Sequence, residues 1–342
     1  MRNVIASAVA LAVVVLAGGS GHAAAALTDY YKPPPLKKYR FEPPRLEQGL
    51  LQIKGTPASD RLAIRLQAGQ PAMLQLDVND DGSADFTFVR ADVTRIAVDA
   101  RAGNDLVRID ESNGAFTDTI PTTLDGKSGR DTLLGGSGRE LLRGGTGRDS
   151  IDGNRGNDLA FMGSGNDTFV WDPGDGSDTI EGQSGYDTML FNGANVAERI
   201  DMSANGYRLR FFRDAGNITM DTDGVERVDF KALGGPDVVT VNDLRATDVR
   251  AVNVDLAATG GSGDGQPDRV VVNGTNGNDR IRVDSGAGDV TVRGLAARIR
   301  ILRSEAANDR LELNTLAGSD TVDSRGLAAG VIRLLVNGLL VS

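Results

Sequence analysis

Between Gly126 and Leu190 the chain repeats itself every nine residues. Written in nines it reads GKSGRDTLL, GGSGRELLR, GGTGRDSID, GNRGNDLAF and MGSGNDTFV. Trp171 and Asp172 interrupt the count, and it resumes as PGDGSDTIE and GQSGYDTML. A fixed short period is the mark of stacked, near-identical units, a solenoid. Column four is glycine in every copy: Gly129, Gly138, Gly147, Gly156, Gly165, Gly176 and Gly185. A residue with no side chain at one fixed point implies a positive φ or a very close approach of another chain segment. Column six is acidic throughout: Asp131, Glu140, Asp149, Asp158, Asp167, Asp178 and Asp187. Column eight is apolar: Leu133, Leu142, Ile151, Ala160, Phe169, Ile180 and Met189.

Each nonapeptide is therefore a tight turn bearing a carboxylate, followed by a very short strand with one inward side chain. A single unit cannot bury that side chain, but stacked units can, and the carboxylates then fall into rows. Rows of like charge repel unless something neutralises them. The turns offer carboxylate and main-chain carbonyl oxygens, with no sulfur or imidazole. That hard ligand set suits calcium better than zinc or copper.

These residues resemble the haemolysin-type calcium-binding repeat of RTX proteins, G-G-x-G-x-D-x-U-x with U apolar. The resemblance implies an all-β protein: a parallel β-roll or β-helix in which two nonapeptides make one coil. It also implies several calcium ions between turns stacked two repeats apart. Carried onto this sequence, the metal-site residues are the seven column-six acids together with Gly135, Gly138, Gly144, Gly147, Gly153, Gly156 and Gly165. One side of the roll would carry Asp131, Asp149 and Asp167, and the other Glu140, Asp158 and Asp178. Glu140 is one methylene longer than the motif's aspartate. Lys127, Asn154 and Met162 replace glycines of the first two columns, and the Trp171–Asp172 insertion is expected to break the stacking register before Asp178 and Asp187.

The rest of the chain is read around this block. Residues 1–25 have one charge, Arg2, then an apolar run and small residues, the pattern of a secretory signal peptide. Residues 26–49 contain KPPPLKKYRFEPPR and read as a proline-rich basic linker. Residues 50–125 form an N-terminal β region, with strands expected at Leu51–Lys54, Leu62–Leu66, Met73–Val78, Phe86–Val89 and Ile96–Val98. Asp77–Asp85 has the spacing of an EF-hand loop, yet Phe88 stands where the twelfth-position glutamate belongs. A hairpin turn on Asp81-Gly82 is the preferred reading. The roll is assigned to residues 126–193 and less regular β-coils to 194–342. That last region opens with a meander of strands at Arg199–Met202, Tyr207–Phe212, Ile218–Asp221 and Val228–Phe230, and ends in an apolar final coil or cap. Weak echoes of the repeat carry Asp60, Asp105, Asp237, Asp268, Asp279, Asp309 and Asp320. Of these, Asp105 and Asp279 keep G-N-D, whereas Asp60, Asp237 and Asp309 read as turn caps.

Composition narrows the chemistry. Cysteine is absent and the only histidine, His22, lies in the expected leader, so the processed chain has no imidazole and no thiol. Ser-His-Asp, Cys-His and His-ligated zinc sites are thereby excluded. Net charge is −10, or −11 without Arg2, which argues against nucleic acid and anionic lipid as partners. No span long enough to cross a membrane is expected. The expectation is a secreted, non-enzymatic calcium-binding solenoid at the cell surface or in the surrounding matrix, with a cell surface or polysaccharide as a candidate contact. The competing readings are a polysaccharide lyase or epimerase and a surface adhesin.

Overall fold

The structure is a computed structural model that describes residues 40–341. The expected leader and the first residues of the expected linker lie outside the described residues. Tyr39–Ser342 makes one compact unit. It consists of two long sheets, of 15 and 14 strands, wound by a single chain that alternates between them.

The nonapeptides show how the winding arises. Odd repeats end in strands of the second sheet: Thr132–Leu134, Ser150–Asp152, Thr168–Trp171 and, after the insertion, Thr188–Asn192. Even repeats feed the first sheet: Leu141–Gly147, Leu159–Gly165 and Thr179–Gly185, preceded by Thr122–Gly129. All pair in parallel with the coil above and below, Leu133 against Ile151 and Ile151 against Phe169, for example. Two nonapeptides thus make one coil. The eighth-column side chains alternate inward, and all seven are fully buried. The expected parallel β-roll is present.

The two-residue insertion does not break the register. Asp172 and Asp175 close a small turn through Asp172 N–H to Asp175 Oδ2, 2.6 Å, and Asp175 N–H to Asp172 O, 3.0 Å. Beyond it Leu159 still faces Thr179 and Phe169 still faces Met189. The extra length seats Trp171 in the core. Its indole N–H donates to the Gly176 carbonyl, 2.8 Å, and its ring stacks on Phe191 at 3.9 Å. Phe211 and Phe230 complete this aromatic cluster.

Both sheets run on through residues 126 and 193, so the regions on either side of the repeats share its hydrophobic core. Three hairpin excursions enlarge coils. One adds Gln70–Val78 and Phe86–Val89 to Arg61–Gln67; another adds Asp289–Arg293 between Arg280–Gly286 and Arg298–Leu302. The third is the expected meander, Arg199–Asn205, Arg208–Arg213 and Ile218–Asp223, antiparallel within the first sheet. Its expected fourth strand lies elsewhere. Arg227–Leu233 belongs to the second sheet, parallel to Thr188–Asn192, because its inward Val228 and Phe230 continue the rows of Met189 and Phe191. At the C-terminus Arg333–Val336 adds a last parallel strand, closed by Leu339–Leu340.

One boundary is corrected. Arg45–Glu47, inside the expected linker, is a strand antiparallel to Leu50–Lys54. Gln48 and Gly49 both have positive φ (48° and 78°), the turn that matches strand twist in a two-residue hairpin. Phe41 and Leu46 pack on the core, so apolar contact outweighs the proline-rich composition here.

Candidate metal centre

Column four explains itself in the stack. Gly147 has φ 141°, and a Cβ placed on it would stand 1.6 Å from the Gly129 carbonyl oxygen of the coil before. Coils pass so closely at this point that the main chain of one occupies the side-chain position of the next. That approach brings the column-six acids into line.

On one side the row runs Asp60, Asp105, Asp131, Asp149, Asp167, Asp187 and Glu226. Each acid after Asp60 takes, on one carboxylate oxygen, the main-chain N–H of the acid one coil earlier. Asp131 N–H donates to Asp149 Oδ1, 2.8 Å; Asp149 N–H to Asp167 Oδ1, 2.7 Å; Asp167 N–H to Asp187 Oδ1, 2.8 Å. Upstream, Asp60 N–H meets Asp105 Oδ1 at 2.7 Å and Asp105 N–H meets Asp131 Oδ1 at 2.8 Å; downstream, Asp187 N–H reaches Glu226 Oε2 at 2.7 Å. The opposite row is shorter. Glu140 N–H donates to Asp158 Oδ1, 2.7 Å, and Asp158 N–H to Asp178 Oδ1, 2.8 Å. The sides match the division expected from the sequence, and Asp178 and Asp187 keep their places despite the insertion. Glu140 accommodates its extra methylene by folding back, so that its Oε2 accepts the Gly136 N–H at 2.8 Å.

The second oxygen of each acid is the informative one. All seven column-six residues are at most 2% exposed, and Asp131, Asp149, Asp158, Asp167, Asp178 and Asp187 Oδ2 and Glu140 Oε1 are buried with no hydrogen-bond donor. Such groups are costly unless paired or metal-bound. None forms an ion pair with lysine or arginine among the described residues. The loop that imitates an EF-hand makes the contrast. There Asp77 is bonded to the Arg65 guanidinium at 2.7 Å, and Asp80 to Arg108 at 2.7 Å. Those carboxylates have their counter-charges built in, and the segment is the hairpin turn the sequence suggested.

Burial pushes the row carboxyls up: Asp131 to about 6, Asp149, Asp178 and Asp187 to about 7, and Asp158 to about 9. The accepted main-chain hydrogen bond pulls each the other way, and neighbouring carboxylates add to the rise. Glu140 and Asp167 are raised for the same first reason, burial.

Column-one glycines leave room beside these oxygens. A Cβ on Gly144 would lie 2.7 Å from Asp149 Oδ2 and 2.4 Å from the Met162 carbonyl of the next coil. One on Gly126 would lie 2.6 Å from both Asp131 Oδ2 and the Gly144 carbonyl. Gly135 and Gly153 stand likewise beside Glu140 and Asp158. At Gly126, Gly135 and Gly144 this is a cradle walled by carboxylate and carbonyl oxygen that a methyl group would fill, and at Gly153 the wall is the Asp158 carboxylate. Among the described residues no three acidic side chains converge on one point, so an ion here would complete its shell from main-chain oxygens or water. A hard cation is the partner that this donor set fits.

Sequence reasoning put the seven acids in one column; the structure adds Asp105 and Asp237, read there only as weak echoes, as acids whose second oxygen is likewise buried without a donor. Asp105 extends the first row, and its Oδ2 is buried without a donor. Asp60, Asp279 and Asp309 are caps: each accepts an N–H four residues back in its own turn, from Thr56, Thr275 and Glu305.

The RTX calcium-binding nonapeptide repeat, in four copies, matches residues 122–141, 134–169 and 173–190, about a fifth of the chain. The chain carries RTX calcium-binding repeats on a β-roll. A search of curated proteins finds no match. Among solved structures the chain shows a partial likeness to the extracellular lipase LipA from Serratia marcescens, at 12% identity and a TM-score of 0.18. That likeness covers 63% of this chain and 43% of the lipase, and at such a score it carries no argument.

Proposed function

We propose that this carrier of RTX repeats is an exported, non-enzymatic protein whose roll folds when calcium neutralises its carboxylate rows. The observation that carries the reading is the line of buried carboxylate oxygens with neither donor nor counter-ion. Asp131, Asp149, Asp167 and Asp187 would hold ions on one side, and Glu140, Asp158 and Asp178 on the other. Carbonyls of the column-one glycines and their neighbours would complete each shell. The ion supplies positive charge between turns that otherwise repel. Spacing favours calcium. Neighbouring strands stand about 4.7–4.9 Å apart, so equivalent oxygens recur at about that interval. Two calcium–oxygen distances of about 2.3–2.6 Å span it, whereas two of about 2.0–2.1 Å for magnesium fall short.

Export follows the leader-like residues 1–25, and calcium outside cells is abundant enough for modules that bind at about 10⁻⁴–10⁻³ M. The non-enzymatic reading rests on the absence of histidine and cysteine after residue 25. Purified protein is expected to turn over neither ester nor peptide substrates.

The test uses Trp171, the only tryptophan in the chain. Calcium-free protein is expected to lack β-type circular dichroism and to show red-shifted Trp171 emission. Millimolar calcium should restore both signals, and magnesium should not. Full β-structure in chelator would refute calcium-driven folding.

A further inference from the structure

A second row of acids lies outside the nonapeptide repeats. Glu198, Asp237, Asp268 and Asp309 are separated by 39, 31 and 41 residues, yet they stack coil on coil. Glu198 N–H donates to Asp237 Oδ1 at 2.8 Å, Asp237 N–H to Asp268 Oδ1 at 2.8 Å, and Asp268 N–H to Asp309 Oδ1 at 3.0 Å. This is the bonding pattern of the nonapeptide rows, reproduced by turns that keep only weak echoes of the repeat and no fixed period.

The two ends of the row are closed. Glu198 is paired with Arg213, and the second oxygen of Asp309 accepts the Glu305 N–H at 2.6 Å. The two middle members are open. Asp237 and Asp268 are 1% and 2% exposed, and the Oδ2 of each is buried with no donor. A third carboxylate, Asp264, links their turns: its Oδ2 accepts the Gly235 N–H at 3.0 Å and its Oδ1 the Gln266 N–H at 2.8 Å. None of the three acids has a lysine or arginine partner among the ion pairs of the described residues. Two unpaired buried oxygens on acids of neighbouring coils, bounded by satisfied members of the row, mark a place for one doubly charged ion.

We infer that Asp237 and Asp268 bind a single calcium-class cation between two C-terminal coils, separately from the nonapeptide rows. The ion replaces there what Arg213 supplies to Glu198. The inference rests on the same oxygen chemistry as the proposed function, but on none of the same residues.

The full chain is loaded with calcium by equilibrium dialysis, and bound metal is counted by mass spectrometry. Three proteins are compared: wild type, Asp149→Asn, and Asp237→Asn/Asp268→Asn, which keeps both Oδ1 acceptors of the ladder. The double variant is expected to lose one calcium per chain while retaining the calcium-dependent circular dichroism of the repeats. An unchanged count in the double variant, with a reduced count in Asp149→Asn, overturns the inference and leaves the nonapeptide reading standing. A loss in the double variant with no loss in Asp149→Asn does the reverse. A wild type that binds no calcium removes both. Should the double variant not fold, Asp268→Asn alone reads the same count, again with one ion lost as the expected result.

Discussion

At the scale of single residues, the glycine columns separate two costs that are usually mixed. Gly147 and Gly174 both hold positive φ, 141° and 119°. A side chain at Gly174 meets nothing within 4 Å, whereas one at Gly147 meets the Gly129 carbonyl at 1.6 Å. Backbone cannot rotate away as a side chain can. Gly174→Ala should therefore carry only the conformational penalty, about 1–2 kcal/mol. Gly147→Ala must also force adjacent coils apart, and its loss should exceed about 4 kcal/mol, the range reserved for disruption of packed structure. Urea midpoints measured in saturating calcium check this; equal losses would mean that the coils can slide apart freely.

A row of turns behaves as one element, because each acid both caps the coil before it and is capped by the coil after it. Asp149 stands in the middle, taking the N–H of Asp131 and giving its own to Asp167. Asp320 takes the N–H of Asp279 at 2.8 Å in a turn near the end of its sheet, and it is only half-buried. Asp149→Ala is expected to raise the calcium midpoint and lower the stoichiometry, while Asp320→Ala changes neither appreciably. A calcium titration followed by circular dichroism, paired with a metal count, would expose the element reading as wrong if both variants shifted alike.

Over the whole molecule, the rows set the balance between charge and packing. The core is continuous from Leu51 to Leu334, yet the turns hold carboxyls that burial pushes up to about 6, 7 and 9. Below their unfolded value, near 3.8, these groups are protonated in both states and cost nothing. Between that value and about 7 the unfolded chain has released protons that the folded chain still holds, so stability falls as pH rises. Calcium-free protein, stripped by dialysis over a chelating resin, should gain β-structure when acidified from pH 7 towards about pH 5. With calcium saturating, the trend should reverse, since ligand carboxylates must lose their protons to bind metal. A calcium-free chain that orders as pH rises would contradict the placement of these groups. The stabilising capacity is ample: one site at calcium 100-fold above its dissociation constant adds about 2.7 kcal/mol. Several coupled sites reach the usual net stability of about 5–15 kcal/mol.

The nine-residue period by itself determined the turn-and-strand unit, its inward column and its column of acids. The two-repeat coil and the rows of Asp131, Asp149, Asp167 and of Glu140, Asp158, Asp178 were implied by the resemblance to the RTX repeat, and the strand pairing and acid-to-acid hydrogen bonds bear them out. The unit is local: a turn with glycine at a fixed offset, then an alternating strand, fixes one carboxylate and one inward side chain per repeat. The period could not show that the Trp171–Asp172 insertion would be absorbed in a turn, because that depended on an aromatic pocket built by Phe191, Phe211 and Phe230. Nor could it show that Arg45–Glu47 is a strand, since its contacts come from the core and not from its proline-rich neighbours. Above all, only the tertiary structure decided which acids have a cation of their own. Asp77 has Arg65 and Glu198 has Arg213, residues 12 and 15 positions away. Asp237 and Asp268 meet across 31 residues of intervening chain and have none. Coils of unequal length hide that stacking from any fixed period, and the charge balance of a buried carboxylate is settled by whatever the next coil brings beside it.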